Sequence, residues 1–254
     1  MTDNSATDRT KPQRASREGP ADERTLDHPA DGRTSGRLAG AVGWSPGERT
    51  SARVPGWVGP AGLILLSVIP VVAGALRLGE LAGGAVVTPG NARFFATPLP
   101  VVLHIIGASL YGILGAFQFA KKFRRRRPGW HRMAGRILVI CGLVAAVTGL
   151  WMTVFYPRPA GDGDLVAAFR LVFGTAMAVS LVLGFAAIRR RDFHRHRAWM
   201  IRSYAIAMGA GTQAFTHLPW MILVGTPGET ARAMLMAAGW LINLAVAEWI
   251  IRRP

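Results

Sequence analysis

Residues 121–156 read KKFRRRRPGWHRMAGRILVICGLVAAVTGLWMTVFY. Seven cations crowd the first twelve positions, ending in Trp130-His131-Arg132, and from Met133 onward Arg136 is the last charge before Tyr156. An apolar run of about twenty residues matches the roughly 30 Å of a bilayer's hydrocarbon core. A cation block set directly against such a run marks where a helix leaves the cytoplasmic surface of a membrane. The pattern returns at Arg189-Arg190-Arg191 and His194-Arg195-His196-Arg197, followed by Ala198-Trp199-Met200-Ile201-Arg202 and a second apolar run. Working outward from these two blocks gives six such runs, near 57–78, 99–120, 133–156, 166–188, 198–224 and 233–251. Backbone groups in hydrocarbon must pair within their own segment, so all six are expected to be helices. A soluble bundle would carry a polar face at helical period, and these runs mostly lack one. The expected fold is an all-α integral membrane protein of six transmembrane helices.

The chain has 254 residues, half of them hydrophobic, and a formal charge of +16. These properties coexist because they are segregated. Residues 1–56 are rich in Pro, Gly, Ser and Thr, with nine basic and eight acidic residues that nearly cancel. So little apolar surface does not offset the entropy of ordering, and this segment is expected to be a disordered tail. It lacks the early apolar core of a signal peptide, so it is expected to stay in the cytoplasm. With the N-terminus inside, sixteen Lys and Arg residues of the spanning region fall on the cytoplasmic side. Only Arg77, Arg93, Arg158, Arg170 and Arg232 fall outside. That asymmetry is expected to set both termini on the cytoplasmic side of the membrane. Arginine blocks abutting spans anchor topology and attract anionic lipid, which accounts for them without nucleic acid. The single cysteine, Cys141, lies mid-span and reads as a small packing residue.

The second to fifth runs form two similar hairpins, each turning through a basic loop into His-Arg, and are expected to make a four-helix core with the first and last spans peripheral. Polar residues inside spans are costly and normally turn inward. In the second run His104, Tyr111, Gly115 and Gln118 recur at helical spacing on one face. In the fifth, Arg202, Gly209, Gln213 and Thr216 share a face, with His217 beside it, and Thr148, Asn243 and Glu248 are further inward-facing groups. His104 and His217 fall at similar depth toward the outer side, and His131 and His196 at similar depth toward the inner side. Two such pairs are what bis-histidine ligation of two b-type haems requires, with Arg132, Arg136 and Arg202 available to haem propionates, and Glu248 as the other partner open to Arg202. Against this, His131 and His196 serve equally as amphipathic boundary residues. His104 and His217 are satisfied without metal by hydrogen bonds to Tyr111, Gln118 or Gln213.

At these residues the chain resembles the bacterial membrane family known as domain of unknown function 2306. The resemblance rests on His104 followed by Gly115-Ala116-Phe117-Gln118-Phe119, on Arg127-Pro128 with His131-Arg132 and Gly135-Arg136, and on His196-Arg197-Ala198-Trp199-Met200-Ile201-Arg202-Ser203-Tyr204. It covers about 98–223, leaving the tail and the first and last spans outside. It implies a multi-span inner-membrane protein whose functional centre lies in these three motifs, and it implies no activity. A looser likeness, in histidine depth alone, is to two-haem transmembrane cytochromes b.

Three functions follow as expectations. One is a haem b protein carrying electrons across the membrane to a quinone or other redox partner. Another is a small transporter whose pathway follows the polar faces of the second and fifth spans. The last is a non-catalytic scaffold subunit. No Gly-x-Ser-x-Gly elbow, His-Glu-x-x-His pair or phosphate-binding glycine loop with its lysine occurs, so hydrolase and transferase chemistry has no motif here.

Overall fold

A computed structural model describes residues 57–253, with side chains throughout except at 121–123. The reading of residues 1–56 as a disordered cytoplasmic tail lies outside the described residues. Within them the fold is all helical, without a strand: α1 (Val58–Ala82), α2 (Ala92–Ala96), α3 (Pro98–Gln118), α4 (Lys121–Arg126), α5 (Pro128–Phe155), α6 (Asp164–Arg189), α7 (Phe193–Ala207), α8 (Gly209–Leu223) and α9 (Glu229–Arg252). Five of these, α1, α3, α5, α6 and α9, are long and apolar enough to cross a membrane. The short α2 and the 156–163 and 224–228 connections lie at one end of the bundle. The basic α4 and the α6–α7 turn lie at the other.

Sequence chemistry sets the helix boundaries. Pro98 and Pro128 open α3 and α5 at the first helical turn, where a missing N–H costs nothing. Asp192 caps α7, its side chain accepting from the Arg195 N–H at 3.0 Å. The tight α6–α7 turn puts Arg191 in the left-handed region at φ 61°, a conformation that an L residue adopts at a cost of roughly 1–2 kcal/mol.

The fifth expected span differs from its reading. Instead of one helix over 198–224, the chain forms two helices of 15 residues each, α7 and α8, that meet at Met208. The ladder tightens there: Gly211 N–H reaches the Met208 carbonyl three residues back at 3.1 Å, sharing it with Thr212 N–H at 3.2 Å. At the junction the Ala205 carbonyl takes its hydrogen from Asn243 Nδ2 of α9 at 3.1 Å, and Asn243 Oδ1 accepts from Thr212 Oγ1 at 2.9 Å. A carbonyl without a partner inside hydrocarbon costs several kcal/mol. Asn243, a costly polar residue in the apolar middle of α9, removes that cost. By contrast α1 runs continuously through Pro70.

The core joins Tyr111 of α3, Leu138 and Ala146 of α5, Phe173, Met177 and Leu181 of α6, and Tyr204, Ile206 and Met208 at the end of α7. These are the helices of the two expected hairpins. The outer helices add more than a margin. Ser67 of α1 bonds the Met208 sulfur at 3.4 Å, and Gly74 takes Ile105 of α3 against its backbone. Four small residues of α9, Ala233, Ala237, Gly239 and Ala247, are buried, and Trp240 stacks on Phe173 at 4.6 Å between centroids. Leu65, Leu76, Ile140 and Leu223 are more than 60% exposed on the outside of the bundle. A surface so apolar is at home in lipid and nowhere else.

Candidate functional site

The three motifs converge at the α4 end of the bundle. Gln118 closes α3, and its Oε1 lies 4.0 Å from where a Cβ on Gly135 would stand. His131 is one turn before Gly135 on the same face of α5. His131 and His196 lie within electrostatic reach of each other. His196 Nδ1 bonds the Gly184 carbonyl of α6 at 2.8 Å. Both side-chain polar atoms of Gln118 and Nδ1 of His131 are buried without a partner among the described residues. Gln118, His131 and His196 therefore share one region. Arg132 and Arg136 are exposed and stand outside it.

Of the two partners open to Arg202, the structure supplies Glu248. Arg202 Nε and Nη2 bond both carboxylate oxygens of Glu248 on α9, at 2.6 and 3.0 Å, and the guanidinium lies 4.8 Å from the Trp199 ring centroid. A bidentate pair of this kind neutralises both charges within the apolar zone. The next two motif residues turn inward. Ser203 shares a 2.8 Å hydrogen bond with Tyr111, and the Tyr204 hydroxyl donates to the Gly112 carbonyl at 2.6 Å. Gly115 leaves room for the Tyr204 ring, since a Cβ there would approach its Cε2 to 2.6 Å. Tyr111, Ser203 and Tyr204 are at most 4% exposed and form a buried, hydrogen-bonded layer inside the bundle.

Between that layer and the α2 end lies a cavity of about 470 Å³, within the range of small-molecule sites. Its rim carries Arg93, Arg158, Asp162 and Arg170, and its walls include Phe94, His104, Met177, Gln213 and Trp240. Tyr111 stands at its floor, thirteen residues into α3, which at 1.5 Å per residue is roughly 20 Å from the rim. The helix junction borders it too, through Ile206, Ala207 and Ala210.

His104, half-buried, bonds the Ala145 carbonyl through Nδ1 at 2.8 Å, with Thr148 Oγ1 at 3.4 Å. Gly149 gives the ring its space on α5. His217 is placed differently: its Nδ1 lies 2.8 Å from the Gln213 carbonyl of its own helix, and it is not among the residues that line the cavity. Gln213 donates to the Met236 carbonyl at 3.1 Å and does line it. Of the two expected faces, His104, Tyr111 and Gln213 thus line one cavity, and Gln118, His131 and His196 lie together on the α4 side of the buried layer.

The rim escaped the sequence reading. Asp162, whose side chain is only 2% exposed, holds Arg170 of α6 at 2.6 Å and Arg232 of α9 at 2.6 Å. Arg158 pairs with Asp164, and Arg77 with Glu80. The Arg77 and Arg93 guanidiniums lie 4.6 and 4.5 Å from the centroid of the Phe94 ring, which meets Tyr156 edge-on. Burial lowers the Arg93 pKa from its ordinary value, opposed by nearby Asp162. Burial raises that of Tyr156. Four of the five arginines that ran against the cytoplasmic bias therefore gather at one rim. A charge kept where topology disfavours it was the signal available.

The sequence model of a family described as "Predicted membrane protein (DUF2306)" matches residues 101–251, more than half of the chain. The match runs from α3 through α9, so it takes in the last span as well as the motifs. No curated protein matches, and no solved structure matches. The likeness to two-haem cytochromes b is therefore without support.

Proposed function

Because the chain belongs to the DUF2306 family of predicted membrane proteins, its setting is a lipid bilayer, and we propose that it is a small permease whose solute pathway begins in the cavity above Tyr111. In this reading the α2 end faces outward, the basic α4 end rests on anionic lipid at the cytoplasmic face of a bacterial inner membrane, and both termini are inside. The observation that carries it is the broken helix. An interrupted hydrogen-bond ladder at membrane depth is tolerated where it borders a cavity or is buried in protein, and interrupted helices mark solute sites in transporters. In this chain the interruption is the single residue Met208, whose backbone stays in the αR region. Here the α7–α8 junction borders the cavity, and α9 contributes an asparagine to support it. The Tyr111–Ser203 contact is then the closed inner gate, with Gln118, His131 and His196 beyond it.

The test uses thiol access in a Cys141→Ala background. Ala108 lines the cavity and Leu110, two residues on along α3, is 40% exposed on the outside of the bundle. A membrane-impermeant maleimide added outside intact cells is expected to label an Ala108→Cys variant and leave a Leu110→Cys variant untouched. A thiol facing hydrocarbon does not ionise, whereas one in water does. Failure to label Ala108→Cys from either side of the membrane would rule out an aqueous pathway.

One observation favours a second reading. A ligating histidine normally donates its other ring nitrogen to a backbone carbonyl or carboxylate. His104 and His196 are both held this way through Nδ1, leaving Nε2 free. Haem b ligation by His131 with His196 would make the protein an electron carrier with a quinone or other redox partner. The outer pair does not carry this reading, because His217 bonds its own helix away from the cavity that His104 lines. A reduced-minus-oxidised absorbance spectrum of the purified protein decides it. An alpha band lost in His196→Ala supports haem, and a flat spectrum from folded, haem-supplied protein retires it.

A further inference from the structure

The charges at the cavity rim are unequal. Asp162 is a single carboxylate shared by Arg170 and Arg232, so that triad keeps one positive charge. Arg158 is answered by Asp164, and Arg77 by Glu80. Arg93 has no carboxylate within ion-pair distance among the described residues, and it lines the cavity. The remaining acid nearby, Glu229, is exposed in the first turn of α9, outside the cavity lining, where the helix N-terminus already favours its charge. The cavity mouth therefore presents a half-buried, unspent guanidinium beside a partly compensated one. Below this rim the walls are apolar and aromatic: Phe94, Leu150, Met177, Ile206 and Trp240. Polar groups reappear at the floor with His104, Tyr111 and Gln213.

We infer that the cavity takes a small carboxylate anion with an aromatic or compact apolar body, and that Arg93 receives the carboxylate. This deepens the permease reading and rests on it. A guanidinium offers two parallel N–H donors that match a carboxylate, and it stays charged when partly desolvated. The stack of Arg93 on Phe94 pre-orients the guanidinium, so less freedom is lost on binding. Arg170, 33% exposed and already tied to Asp162, supplies the adjacent positive field. The aqueous phase is the source of the ligand, because the rim is built from the 156–163 connection and α2 rather than from a gap between two lipid-facing helices.

The experiment is isothermal titration of the full-length protein in detergent with 1-naphthoate and with its neutral isostere 1-naphthamide. Naphthoate is expected to bind roughly ten- to a hundredfold more tightly than the amide, the range of a charge-assisted hydrogen bond. Arg93→Gln is expected to remove that preference while leaving amide binding unchanged, and Arg93→Lys to restore part of it. Arg132→Gln, at the α4 end and outside the cavity lining, is expected to leave the preference in place. If both ligands bind equally and Arg93→Gln changes neither, the anion inference fails while the cavity remains a binding site. If neither ligand binds the folded wild-type protein, the inference falls together with the solute-site reading.

Discussion

Gly211→Ala is expected to destabilise the protein by on the order of 2–3 kcal/mol, the cost of overpacking a close contact. Local propensity alone gives the opposite sign, since alanine in a helix is better than glycine by roughly 1 kcal/mol. Packing decides the outcome. A Cβ on Gly211 would overlap the Leu66 backbone carbonyl oxygen of α1, and Leu66 Cγ stands at 2.8 Å from it. Neither backbone can yield without separating α1 from α8. Gly209, two residues earlier, faces the indole of Trp240 instead, and a side chain can rotate away, so Gly209→Ala is expected to cost less. Gly129, with nothing within 4 Å, is the control and is expected to gain slightly from alanine. Thermal unfolding of the three variants in one detergent checks the order. A Gly211→Ala protein as stable as wild type would mean that α1 and α8 do not meet at Leu66, and the helix junction would lose its support on that side.

The same junction shows what was legible in the sequence. Hydropathy located the five helices long and apolar enough to cross a membrane, because membrane thickness sets a length that composition must meet. It read 198–224 as one run because hydropathy does not register the hydrogen-bond ladder. The break depends on Gly209 and Gly211 fitting against Trp240 and Leu66, and on Asn243 meeting the Ala205 carbonyl. Each of those is a contact with another helix. Helical period did carry the face of α3: His104 and Tyr111 border the cavity, Gly115 accommodates Tyr204, and Gln118 turns into the lower cluster.

Motif reading was less discriminating about roles. Arg202 was open to an anionic cofactor, with Arg132 and Arg136, or to Glu248. Spacing alone does not choose between them, and the contact between α7 and α9 does, pairing Arg202 with Glu248 while Arg132 and Arg136 stay exposed. His104 and His217 were paired on depth, and depth does not fix direction. A residue can sit at the right height and bond its own helix, as His217 does with Gln213. The rim was hidden for the same reason. Its arginines come from α2, the 156–163 connection, α6 and α9, and in a one-dimensional count they are merely exceptions to a topology rule.

Asp162 is where that rim is most exposed to mutation. Removing one member of a buried ion pair typically costs 3–5 kcal/mol, because the partner is left charged and unpaired. Here the acid is almost fully buried while Arg170 and Arg232 keep about a third of their side-chain surface. Water therefore screens part of the loss, and Asp162→Asn is expected to cost on the order of 2–4 kcal/mol. The asparagine preserves the shape, so the effect is one of charge. Two guanidiniums would then face each other with Arg93 nearby and no anion between them. Adding Arg232→Gln to Asp162→Asn should recover part of the stability by removing one of the repelling charges, although it removes a second native group. Arg158→Gln, whose pair with Asp164 is exposed on both sides, should change stability by less than about 1 kcal/mol. Melting temperatures of the single and double variants give the coupling directly. If the double variant is no more stable than Asp162→Asn, Asp162 is not neutralising both arginines, and the charge excess at the cavity mouth has to be counted again from Arg93 alone.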